Sequence, residues 1–114
     1  MRVTLTDESR DELRGLPPAE KKAMIHAIDK LEVAGDLLEF PHSSAVKGAQ
    51  APLRELRPRR GRSPWRAFYR RVGTRIVVAA IGPEAQVDPR GFDRAVAEAL
   101  TRLANVPDEE ETDG

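Results

Sequence analysis

The sequence predicts an α+β domain, a mostly antiparallel sheet with helices packed on one side, and three observations carry that expectation. The run RIVVAAI (Arg75–Ile81) follows a Gly73-Thr74 turn and is apolar almost throughout, as a strand in the middle of a sheet must be. Met24, Ile28 and Leu31 recur at helical spacing, and so do Phe92, Val96, Ala99, Leu100 and Leu103. The period of the apolar pattern changes along the chain in the order β-α-α-β-β-β-α, without internal repeats.

Each element has a local reason. Residues 1–5 (MRVTL) place Val3 and Leu5 on one side of a short strand. Thr6 is a helix N-cap, followed by Asp7 and Glu8 where the helix dipole favours acids. That helix is brief, because Pro17-Pro18 ends it, and Pro18 suits the first position of the next one. The second helix, with Gly35 as its C-terminal cap, pairs antiparallel with the first. Residues 36–52 mix turn formers with isolated apolar residues and are expected to be a loop. Leu53–Arg57 and Trp65–Val72 are the next two strands, separated by a basic turn at Arg59–Pro64 that contains Gly61. Asp88 caps the last helix, with Pro89 in its first turn.

At 114 residues, the chain is expected to form one domain over residues 1–104, followed by an acidic, disordered tail over 105–114. It has no cysteine and two histidines, so neither a disulfide framework, a thiolate nor a structural zinc site is expected, and a reducing cytoplasm is the natural setting. No apolar run is long enough for a signal peptide or a membrane span.

The charge pattern is the main functional signal. Formal charge sums to zero, yet nine of the fifteen arginines fall between Arg54 and Arg75, with Glu55 as the only acid among them. Residues 54–75 therefore carry net +8, against −2 before them and −6 after them. A cationic sheet with Trp65 and Tyr69 interleaved is suited to meet phosphate. The plainer reading is a solvated charged surface.

The segment LRELR (Leu53–Arg57), the run WRAFYRRVGTRIVVAAIG (Trp65–Gly82) and the helix start DPRGFDRA (Asp88–Ala95) together resemble the RelE/HigB toxin superfamily, most closely its phage-derived HigB-like branch. The likeness covers roughly residues 1–104 and rests on the order and spacing of these motifs. It implies a RelE-like fold and the toxin of a type II toxin–antitoxin system. Such a toxin is an mRNA interferase, acting with or without the ribosome, neutralised by a helix-turn-helix-type antitoxin and requiring no cofactor.

The resemblance implies roles for particular residues. Arg66 would meet the cleaved phosphate, with Tyr69 and Arg57 beside it in the catalytic set. For Tyr69 packing is the competing role, with base stacking or proton transfer as the other. Arg57 is open to RNA contact or to an internal pairing, with Glu55 as the obvious partner. Arg59, Arg60, Arg62, Arg70 and Lys47 would attract the RNA backbone. Trp65 reads as a core-edge aromatic and His26 as an exposed helix residue. His42 titrates in a useful range and, with Ser43, Ser44 and Lys47, could border the basic hairpin.

Chemistry limits this assignment. Cleaving RNA through its 2′-hydroxyl needs a base, cations on the phosphorane and an acid for the leaving oxygen. Arginine supplies the cation well but stays protonated, so it serves poorly as acid or base. A positioned acid or base contributes roughly 10²–10⁴ in rate. The family places lysines or arginines after the last strand, whereas Gly82–Val87 here holds Glu84 and no base. Two readings follow: an mRNA interferase, or a cleavage-impaired scaffold that binds RNA, the ribosome or an antitoxin-like regulator.

Overall fold

The computed structural model describes residues 1–107. Its elements are β1 (Arg2–Leu5), α1 (Asp7–Arg14), α2 (Pro18–Ala34), β2 (Ser43–Ala45), β3 (Arg54–Leu56), β4 (Trp65–Val72), β5 (Arg75–Pro83) and α3 (Pro89–Ala104). The five strands form one mixed sheet in the order β1-β5-β4-β3-β2. β1 runs parallel to β5 and every other pairing is antiparallel. The α+β class and the mostly antiparallel sheet are thus the ones expected, but the helices cover both faces of the sheet rather than one, since β5 is buried along nearly its whole length and needs apolar cover on each side. Most of the expected acidic tail, from residue 108 on, lies outside the described residues.

The caps act where the sequence places them. The Ser9 amide donates to Thr6 Oγ1 at 3.1 Å, and the Gly91 amide donates to Asp88 Oδ1 at 2.9 Å. Pro18 and Pro89 occupy the first helical positions, where a missing N–H costs nothing.

Residues 36–52 depart from the expected loop. A 3-10 turn covers Gly35–Leu37, and Ser43–Ala45 form an edge strand on β3. Ser-Ser-Ala has no strand-like apolar alternation, so its conformation comes from tertiary partners. The Arg57 amide donates to the His42 carbonyl at 2.8 Å, and the buried Ser43 hydroxyl shares a hydrogen bond with Tyr69 and accepts one from Arg54 Nε at 3.0 Å.

Two apolar clusters hold the fold. Leu16, Met24, Ile28 and Leu31 from α1–α2 and their joining turn meet Leu56, Ala67, Tyr69, Ile76 and Val78. Alternate residues of the same strands, on the sheet's other face, include Phe68, Val77 and Ala79, and these meet Ala95, Ala99 and Leu103 of α3. Each fully buried side chain of Leu or Phe size contributes roughly 1.5–3 kcal/mol. Gly82 lets α3 come close: a Cβ there would stand 2.5 Å from that of Ala95. At the opposite end of the helix, Arg102 forks onto both carboxylate oxygens of Glu12 at 3.0 and 3.1 Å and so ties α3 to α1. Among the described residues no helix is long and apolar enough to cross a membrane.

Candidate nucleic-acid interface

The arginine-rich segment is less available than its composition suggests. Arg57 pairs with Glu55 at 3.0 Å, Arg59 with Glu20 at 2.8 Å and Arg71 with Asp36 at 2.6 Å. Arg54 is bonded to Ser43, and Arg75 to the Pro107 carbonyl at 3.4 Å. Only Arg60 and Arg70 of the nine make neither a hydrogen bond nor an ion pair among the described residues.

Arg66 is the most committed of all. Its side chain is 2 % exposed. One terminal nitrogen donates to the Ser63 and Trp65 carbonyls at 2.7 and 3.0 Å, and the other to the Gly61 carbonyl at 3.2 Å and to Glu84 Oε2 at 3.4 Å. Nε lies 3.6 Å from Glu55 Oε1, an ion pair just beyond hydrogen-bond reach. Burial and the nearby Arg57 push the Arg66 pKa below the usual arginine value, and Glu55 and Glu84 oppose that shift. It remains a cation at neutral pH, enclosed by two carboxylates that repel phosphate.

The remaining members of the implied catalytic set stand as follows. Tyr69 is buried, with its hydroxyl against Ser43 and its ring among the α1–α2 core residues. Arg57 bridges two environments: it pairs with Glu55, donates to the Pro41 carbonyl at 3.1 Å, and lies 5.0 Å above the Phe40 ring. Trp65 is partly buried at the edge of the α1–α2 core, as expected.

Arg57 also lines a groove of about 470 Å³ between α2 and the Pro58–Arg62 turn. The cationic rim comprises Lys22 and Lys30 from α2 with Arg57, Arg59, Arg60 and Arg62 from the turn. His26 and His42 also line it, and Ala23, Ala27, Leu38 and Leu56 supply an apolar floor. No carboxylate is among its lining residues. Lys30 Nζ lies 3.4 Å from His42 Nδ1. Desolvation, then the charges of Lys30 and Arg60, hold the His42 pKa below the usual histidine value.

The turn that builds this rim is strained. Arg59 and Arg60 have φ of 55° and 59°, and Gly61 follows at 90°. Two consecutive left-handed arginines cost roughly 1–2 kcal/mol each. Glycine suits position 61 because its φ of 90° strains any side chain, and an added Cβ would also displace the Arg57 guanidinium, whose nearest nitrogen would stand 2.5 Å away. Glu20 braces the turn from α2, accepting from Arg59 at 2.8 Å and from the Ser63 hydroxyl at 2.7 Å.

Of the expected backbone contacts, Arg59, Arg60 and Arg62 stand together on this groove, whereas Arg70 and Lys47 do not line it. Of the α2 contribution from Lys22, His26 and Lys30, the sequence marks His26 only as an exposed helix residue, which it is, and assigns no role to Lys22 or Lys30. The three residues are spaced four apart, which was a legible sign that they share one helix face.

No curated protein matches the chain. A family model described as phage-derived protein Gp49-like (DUF891) matches residues 11–82, nearly two-thirds of the chain. The matched span contains Glu55, Arg57, Arg66 and the whole arginine turn, and it stops at Gly82, just before the segment that brings Glu84 onto Arg66. By this match, the chain belongs to the phage-derived Gp49-like family, a RelE/toxin-like family.

Proposed function

We propose that this protein is a HigB-like member of a toxin–antitoxin pair that engages RNA through its arginine turn and does not cut it. The observation that carries this reading is the enclosure of Arg66 by Glu55 and Glu84. The resemblance gives that arginine the cleaved phosphate, and here its charge is already satisfied inside the fold. The two other implied catalytic residues are similarly occupied, Tyr69 by Ser43 and Arg57 by Glu55. RNA attraction needs only accessible cations, and the groove rim supplies them. A small helix-turn-helix-type antitoxin and the ribosome are the partners that accompany this reading.

A second reading, a working mRNA interferase, draws on one observation. His26 and His42, the chain's only histidines, line the same cationic groove, where one could accept a proton and the other donate one. Induced expression in a bacterial host separates the two. The first reading expects continued growth with intact mRNA, and RNA that co-purifies with the protein at low salt. Growth arrest with mRNA fragments ending in 2′,3′-cyclic phosphate overturns it, and loss of those fragments in His42→Ala would assign the chemistry to the groove.

A further inference from the structure

We infer that the groove between α2 and the Arg59–Gly61 turn is a binding site for the phosphodiester backbone of a single-stranded nucleic acid, with Lys22 and Arg60 as its principal phosphate contacts. The inference rests on the RNA-directed reading above and adds a place, a face of α2 and a mode of contact that the arginine hairpin alone does not supply.

Four observations converge on this groove. First, it collects cations from two separate elements without a single carboxylate among its lining residues. Lys22 and Arg60 make no hydrogen bond or ion pair among the described residues, so both charges are open to a ligand. Second, the fold sustains local strain to present them, with Arg59 and Arg60 left-handed in succession. Such strain persists where the surrounding structure enforces it and is concentrated at functional sites. Here the enforcing contacts are identifiable, namely the Glu20 brace and the packing of Arg57 against Gly61.

Third, the groove is not purely electrostatic. The α2 alanines on it, Ala19, Ala23 and Ala27, are exposed or partly exposed and can accept the apolar faces of bases or sugars while the rim holds phosphates. Beside it Phe40, 71 % exposed, carries the Arg57 guanidinium over its ring, so aromatic and guanidinium planes lie next to the cations. Stacking planes of this kind favour bases over an acidic peptide, which has none to offer. Fourth, His42 faces Lys30 and Arg60, with Arg57 and His26 also on the groove. Desolvation and then the charges of Lys30 and Arg60 hold its pKa down, and a bound phosphate would offset those charges, so ligand entry should raise its titration midpoint.

The test uses fluorescence anisotropy of a labelled ten-nucleotide uridine oligomer with the full-length chain, and an oligothymidine of equal length to show whether the source is RNA or DNA. Wild type should bind, with an affinity that falls with salt by a log–log slope of about 0.7 for each phosphate contacted. The Lys22→Ala/Arg60→Gly double variant should lose at least about tenfold in affinity and reduce that slope by about 1.4, two contacts' worth. Glycine at position 60 keeps the left-handed turn while removing the charge, so a folding defect is not built into the test. Arg14→Ala, on the exposed end of α1, should bind within about twofold of wild type. Proton NMR of the His42 ring should show its midpoint move upward when the oligomer is added.

The outcomes are distinguishable. If wild type binds and the double variant, with wild-type circular dichroism, binds equally well, the groove is overturned and the RNA-directed reading survives. If wild type binds neither oligomer at 50 mM salt, that reading falls together with the groove. If a ten-residue glutamate peptide displaces the oligomer as well as unlabelled oligomer does, the groove takes an acidic protein segment and the nucleic-acid assignment is overturned.

Discussion

Replacing Arg66 with alanine separates a structural arginine from a working one, because the two roles predict opposite stabilities. A cation reserved for substrate phosphate can be truncated with little effect on folding. In this structure truncation strands five acceptors: the carbonyls of Gly61, Ser63 and Trp65 and the carboxylates of Glu55 and Glu84. Hydrogen bonds to charged groups contribute roughly 1.5–3 kcal/mol each, but that sum is not realised, since water can reach some of the released groups. Glu55 and Glu84 retain 13 % and 19 % side-chain exposure and would be partly rehydrated. Breaking a buried ion pair by removing one partner costs about 3–5 kcal/mol, and we take that range. Against a total stability of roughly 5–15 kcal/mol the loss is severe.

Urea unfolding is the natural assay, read from Trp65, the only tryptophan and the immediate neighbour of Arg66. With a slope of about 1.5 kcal/mol per molar urea, Arg66→Ala should lower the midpoint by about 2–3 M. Arg66→Lys should fall between, keeping the charge but losing the planar fork that spans several acceptors. Arg14→Ala should stay within about 0.5 kcal/mol of wild type. A loss below about 1 kcal/mol for Arg66→Ala, accompanied by lost RNA binding, would refute the reasoning and return Arg66 to the substrate.

Three further predictions are independent of this one. Arg60→Gly should leave stability unchanged or raise it by up to about 1 kcal/mol, since roughly 1–2 kcal/mol of left-handed strain is relieved and about 0.5–1 kcal/mol of chain entropy is lost; a fall in melting temperature would show that the turn is unstrained. Gly82→Val should cost about 2 kcal/mol or more and lower Tm by about 10 °C, because even a Cβ there lies within 2.5 Å of Ala95; wild-type melting would mean that α3 does not pack as described. For His42 the lowered pKa means that the unfolded chain takes up the proton first, so stability should fall on acidification below about pH 6.5 and level off once the folded form is also protonated. His42→Gln should flatten that part of the pH–stability curve, and an unchanged curve would remove His42 as its cause.

Much of the fold is written locally. Thr6, Pro18, Asp88 and Pro89 mark helix starts by groups that interact within three residues, and Gly73-Thr74 between two strand-forming runs marks the hairpin. Edge strand β2 is not legible in this way, because Ser43 and Ser44 become strand only by pairing with Leu56 and Glu55. The left-handed pair at Arg59 and Arg60 is equally hidden, since arginine has no preference for that conformation and the turn is held by Glu20, thirty-nine residues away from Arg59 in the chain.

By itself the sequence determined the class of architecture, the likeness to RelE/HigB toxins, the concentration of arginine on one hairpin and the missing bases after β5. The tertiary structure decided which arginines are free. Charge is a property of composition, but availability depends on what stands across from each guanidinium. Glu55, two residues from Arg57, is a partner legible in the sequence, but Glu84, Glu20 and Asp36 come from three distant parts of the chain to neutralise Arg66, Arg59 and Arg71. The face of α2 that carries Lys22, His26 and Lys30 arrives beside the arginine turn only when the chain is folded. Long-range pairing of this kind leaves no local signature, so a segment of net +8 becomes a groove with a few open cations.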